Sequence, residues 1–150
     1  MKKAIALLLA LVMVFALCAC GGGGDSASGE KVVKIGVFEP ASGDSGAGGK
    51  KEMLGMQYAN QETPTVEIGG ETYKVELVYS DNGSDSAKAV SAASKLVNEK
   101  VSLVLGSYGS GVSIAASDTF KQAGIPAIGV TCTNPNVTAG NSHYFRICFL

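Results

Sequence analysis

Val101-Ser102-Leu103-Val104-Leu105-Gly106-Ser107-Tyr108-Gly109-Ser110-Gly111 is the stretch on which the fold of this chain turns. Val101 to Leu105 is a short apolar run with β-branched residues and reads as a buried strand. Gly106 to Gly111 reads as a tight Gly/Ser loop. Val112 to Gln122 then reads as a small-residue helix that Gly124 stops. Strand, glycine-rich turn and helix in that order make half of a βαβ unit. The same grammar extends in both directions.

Upstream, Val32 to Phe38 is another apolar strand, followed by a Gly/Ser turn from Ala41 to Gly49. Lys50 to Glu62 fits a helix with one apolar face. Thr63-Pro64 to Gly70 reads as a break. Tyr73 to Tyr79 alternates, as a strand near a sheet edge does. After a turn at Asp81–Ser84, Ser84 or Asp85 can cap a helix reaching about Lys100, with Ala89, Val90, Ala93, Leu96 and Val97 on one stripe. Downstream, Ile125 to Val130 is a strand, Thr131 to Gly140 a polar loop, and Tyr144 to Leu150 a final strand. The pattern βαβαβαββ predicts an α/β fold: a doubly wound, mostly parallel sheet with helices on both faces. Right-handed crossovers favour the strand order 2-1-3-4-5. Ligands of such sheets collect at the carboxyl ends of the strands. Those ends hold this chain's loops richest in Gly, Ser, Thr and Asn.

The N-terminus tells where the domain works. Lys2 and Lys3 precede an uncharged apolar run from Ala4 to Leu17, then Leu17-Cys18-Ala19-Cys20 and four glycines. This is the build of a secretory signal peptide, too short for a membrane span. Leu17, Ala19 and Cys20 resemble a bacterial lipobox, which implies cleavage before Cys20 and acylation of its thiol. An ordinary signal peptide with incidental cysteines is the other reading. Acyl chains partition at about 0.8 kcal/mol per buried methylene, enough together to hold a protein on a membrane. Residues 1–19 are then the signal peptide and 20–31 the lipidated cysteine with its Gly/Ser tether. Residues 32–150 form the folded domain. The tether reaches about 15–20 Å.

Composition narrows the function. The chain carries 12 Lys and Arg against 13 Asp and Glu, a formal net charge of −1. Removal of Lys2 and Lys3 makes it more negative. No basic stripe is present, which argues against nucleic acid as a partner. One histidine, His143, and no CxxC argue against a metal site, and no cofactor is implied. Cys132 and Cys148 could pair outside the cytoplasm, but their geometry is undecidable from sequence.

The glycine-rich Gly43–Lys51 stretch fails the nucleotide motifs on spacing. A Walker loop would need glycine where Asp44 stands, and a dinucleotide fingerprint would need one at Lys51. Gly106–Gly111 is a better candidate. Glycines let the backbone approach a ligand, and the following helix offers unpaired N–H groups to an anion. Ser110 and Ser113 can cap that helix or donate to a carboxylate. Thr131-Cys132-Thr133-Asn134-Pro135 offers hydroxyls and carbonyls to the same crevice, suited to an ammonium group; its other reading is a turn held by Asn134-Pro135. No catalytic residue is assigned: Cys132 has no base in sight, and an enzyme on this sheet is the least favoured reading.

From Lys34 to Leu150 the chain resembles the N-terminal lobe of type I periplasmic binding proteins, most closely the branched-chain amino acid substrate-binding subunits of ABC transporters. Carrying the resemblance are Lys34-Ile35-Gly36-Val37, Val104-Leu105-Gly106, Ala116-Ser117-Asp118, Gly124-Ile125-Pro126, Thr133-Asn134-Pro135 and Phe145-Arg146, in order. It implies a lipid-anchored, extracytoplasmic receptor for an amino acid, with ABC permease subunits as partners. A sensory module feeding a receptor is the alternative. By the same resemblance Ser110 and nearby amides, Gly109 among them, bind the ligand carboxylate. Thr133 gives its hydroxyl, Thr131 its carbonyl, and Tyr108 and Cys132 line the pocket. Where the family often places an aromatic residue over the ligand, this chain has Gly48, which implies a missing wall. Family members carry two lobes, so residues 32–150 are expected to be one lobe of a truncated protein.

Overall fold

The computed structural model describes residues 30–149. The signal segment and Cys20 lie outside the described residues. One six-stranded sheet forms the centre, in the order β2-β3-β1-β4-β5-β6. β1 (Val32–Glu39) pairs in parallel with β3 (Glu71–Asp81), in register from Val32↔Lys74 to Glu39↔Asp81. β1 also pairs in parallel with β4 (Leu103–Leu105), β4 with β5 (Ala127–Gly129), and β5 with β6 (Tyr144–Arg146). The five parallel strands follow the predicted order.

The helices are α1 (Gly46–Glu62), α2 (Ser86–Asn98) and α3 (Ser110–Gln122). α2 and α3 pack on one face, where Leu96, Ala93, Val104, Ala116, Phe120 and Tyr144 form a buried cluster. Phe38 meets Phe120 edge-on, centroids 5.5 Å apart at 85°. Burying each ring contributes about 1.5–3 kcal/mol, so this pair anchors the layer. Asp85 caps α2 by accepting the Ala87 N–H at 2.8 Å. The other face carries α1 across β1 and β3.

Three expectations need correction. Thr63–Gly70 is more than a break: β2 (Thr65–Ile68) turns at Gly69-Gly70 and runs antiparallel to β3, with Val66 opposite Tyr73. Both glycines adopt positive φ, +61° and +81°, the conformation a two-residue hairpin turn needs. The Ala41–Gly49 turn ends early, because Gly46 to Gly49 already form the first turn of α1. The last strands are also shorter than their apolar runs: Ile125–Pro126 and Ile147–Phe149 lie outside β5 and β6.

Candidate functional site

The loops after β4 and β5 meet at the N-terminus of α3. The residue before that helix is Gly109, at φ +112°, a conformation open to glycine and strained for other residues. No side chain caps α3. The first N–H groups of any helix lack an intrahelical partner and attract negative charge. Ser110 is the first helical residue, inside α3 rather than in the loop. Its Oγ accepts the Asn134 N–H at 3.1 Å, which leaves the hydroxyl proton to be donated. Ser113 is buried; its Oγ accepts the Ser107 N–H at 3.3 Å and donates to the Gly109 carbonyl at 3.2 Å.

The loop after β5 is held from three sides. Asn134 Oδ1 accepts the Asn136 N–H at 2.9 Å and so caps the short 3-10 turn Pro135–Val137. Arg146 Nη1 donates to the carbonyls of Thr133 at 2.8 Å and Cys132 at 3.3 Å. Thr131 Oγ1 donates to Glu52 Oε1 at 2.5 Å. Arg146 and Glu52 were not among the candidates from sequence. Each acts on a loop distant along the chain, and nothing local marks either residue.

Tyr108, Gly109, Ser110, Thr131 and Thr133 line one cavity of about 570 Å³, with Ile147 and Cys148 at its side. Cys132 does not join them. It is fully buried in the core cluster with Tyr144 and Val137, and burial pushes its thiol up. Cys148 Sγ donates to the Cys132 carbonyl at 3.2 Å, and both cysteines are free thiols. A thiol whose pKa is raised by burial makes a poor nucleophile.

The wall expected to be missing at Gly48 is occupied. A Cβ on Gly48 would lie 2.5 Å from Tyr108 Cζ, so the tyrosine ring stands where a side chain at position 48 would project. The ring reaches that place from the β4–α3 loop rather than from α1.

A larger cavity of about 720 Å³ lies between α1 and the sheet. Its walls include Val33, Ile35, Met56, Val75, Leu77 and Leu103. Glu52, Asn60, Thr63 and Thr65 also line it, but no helix N-terminus opens into it to take a carboxylate, whereas the smaller cavity brings together a helix N-terminus and threonine oxygens. Among the described residues no group of three or more His, Cys, Asp or Glu could hold a metal ion.

Residues 32–147 match the family model described as periplasmic binding protein. The chain is 32% identical over 117 residues to a Leu/Ile/Val-binding protein homolog of Brucella abortus, covering 77% of this chain and 31% of that protein. Its structure is similar to that of a leucine binding protein from Thermotoga maritima, with a TM-score of 0.73 and 36% identity over 79% of this chain and 33% of that one. It is also similar to a branched-chain amino acid transporter substrate binding protein from Streptococcus pneumoniae, solved with isoleucine. There the TM-score is 0.71 and the identity 33%, over 79% of this chain and 34% of that one. The chain thus spans about a third of the length of these relatives. By sequence and by fold, this chain belongs to the periplasmic binding protein family.

Proposed function

We propose that this chain is the N-terminal lobe of a substrate-binding lipoprotein that captures a branched-chain or similar amino acid for an ABC transporter. The observation that supports this most is the convergence of Tyr108, Gly109, Ser110, Thr131 and Thr133 on one cavity at the start of α3. A zwitterion has two charges close together and needs two kinds of partner. Its carboxylate fits the unpaired N–H groups of α3 and the Ser110 hydroxyl. Its ammonium fits the Thr131 carbonyl and the Thr133 hydroxyl. The Tyr108 ring then supplies an apolar wall for the side chain. A second lobe would close over the ligand by a hinge motion and present the closed form to the permease. Cys20, acylated, would hold the protein at the outer face of the membrane beside that partner.

Calorimetry of the full-length protein with L-leucine, L-isoleucine and L-valine tests this reading. Ser110→Ala should weaken binding about 5- to 150-fold, the cost of about 1–3 kcal/mol for leaving a buried polar partner unpaired. Unchanged affinity in the variant would remove Ser110 from the site. Failure of every amino acid to bind would remove the function.

A further inference from the structure

Glu39 ends β1 and is only 1% exposed. Its Oε2 accepts the Tyr108 N–H at 2.7 Å. Its Oε1 is buried and has no donor. Glu52 on α1 repeats the pattern: Oε1 accepts the Thr131 hydroxyl, and Oε2 is buried with no donor. Glu52 is the one other carboxyl group that acts on Glu39, and each of the two carries one orphaned buried oxygen. As two carboxylates they would repel each other and leave two buried oxygens unsatisfied. One proton between them satisfies both oxygens at once.

We propose that Glu39 and Glu52 share a single proton, and that this carboxyl–carboxylate bond locks the loop carrying Tyr108 to the loop carrying Thr131. Both glutamates are positioning residues. Glu39 fixes the backbone at Tyr108, and Glu52 fixes the Thr131 side chain. Burial, and then the bond to Glu52, push the Glu39 carboxyl up to about 9, against the Tyr108 N–H, which pulls it down. None of the groups acting on Glu39 is cationic, so a proton and not an ion pair neutralises it.

The other titratable groups around Glu39 come from four elements. Tyr108 lies on the β4–α3 loop. Tyr144 on β6 donates its hydroxyl to the Gly106 carbonyl at 2.8 Å, and burial pushes its phenol up. Cys132 follows β5, its thiol raised by burial. Asp81, the register partner on β3, is engaged by Ala41 and Ser42. The folded state holds at neutral pH a proton that an unfolded glutamate releases. The stability that this held proton contributes is therefore fully present below about 4.5 and is lost as pH rises through about 9.

The test is NMR of the full chain with carboxyl-labelled glutamate, followed from pH 5 to pH 10 without ligand. One carboxyl should stay protonated past neutrality and titrate near pH 9, and the amide shifts of Tyr108 and Thr131 should follow the same midpoint. In Glu39→Gln an amide N–H replaces the shared proton as donor to Glu52. The titration should disappear while both amides keep their neutral-pH positions. Glu52→Ala should move the Thr131 amide at every pH. Every glutamate titrating in the ordinary range of about 4–5 would overturn the shared proton. Amides that ignore the Glu39 midpoint, or that shift in Glu39→Gln, would overturn the lock. The two loops' role as ligand contacts rests on the function proposed above. Neither readout needs a ligand, so failure here and failure of that reading are separate results.

Discussion

Gly48 and Gly49 are neighbours in the first turn of α1, and alanine at each should give opposite results. A Cβ on Gly49 would stand 2.2 Å from the Pro40 carbonyl oxygen and 2.7 Å from the proline ring. Ordinary contact begins near 3.4 Å, so the methyl overlaps rigid backbone by more than an ångström. Overpacking of this kind costs about 1–3 kcal/mol, and the gain of about 1 kcal/mol from alanine in a helix offsets only part. With the overlap this large the cost falls toward the upper end of that range, and Gly49→Ala should destabilise the protein by about 1–2 kcal/mol net. The nearest atoms to a Cβ on Gly48 all belong to the Tyr108 ring, at 2.5–2.7 Å. That ring is 40% exposed and can swing outward. The helix gain then balances the repacking, and Gly48→Ala should change stability by less than about 1 kcal/mol. The displaced ring no longer walls the cavity. Burying an aromatic surface contributes about 1.5–3 kcal/mol, and losing roughly half of it weakens L-leucine binding about 3- to 15-fold. Urea melts and calorimetry on the full-length protein measure the two effects separately. Equal destabilisation by both substitutions, or unchanged affinity in Gly48→Ala, would refute the placement of Tyr108 as the wall.

Two further predictions concern the loop clamp and the anchor. Burial pushes the Asp81 carboxyl up, but hydrogen bonds from the Ser42 hydroxyl and from the Gly83, Ala41 and Ser42 N–H groups outweigh it and hold the carboxyl below its ordinary value. Its contribution is therefore present above about pH 4 and is lost as pH falls through the lowered value. Asp81→Asn should cost up to about 1 kcal/mol at pH 7, a modest figure for an exposed group, and progressively less as pH falls below about 4; urea melts giving the same loss throughout an acid series would contradict the clamp. Cys20→Ser should abolish incorporation of labelled palmitate in cells and leave the protein's lipid content at background; undiminished labelling would place the anchor elsewhere.

The parallel core was legible because Val32–Phe38, Val101–Leu105 and Ile125–Val130 are apolar runs separated by helical stripes, and burial on both faces demands such runs. β2 was not. Thr65-Val66-Glu67-Ile68 is short and exposed, so no apolar run marks it, although Gly69-Gly70 between two alternating segments is a hairpin signal. The start of α1 was hidden by low glycine helix propensity. Gly49 is there because Pro40 approaches too closely for a side chain, and sequence does not show proximity. Five of the six ligand-site candidates share a cavity because strand ends place their loops together. Cys132 sits between two of them, yet its side chain points to the core, as alternation along an extended segment requires. Glu39 and Glu52 carry no pattern at all, since the proposed pairing joins two elements, β1 and α1, that no local signal connects.

The most direct test of the account is the crystal structure of the full-length protein grown with L-leucine. The account predicts the ligand carboxylate within hydrogen-bond distance of Ser110 Oγ and the first N–H groups of α3, with the ammonium on the oxygens of Thr131 and Thr133 and the side chain against Tyr108. Leucine seated in the apolar cavity beneath α1, or away from all four residues, would contradict it.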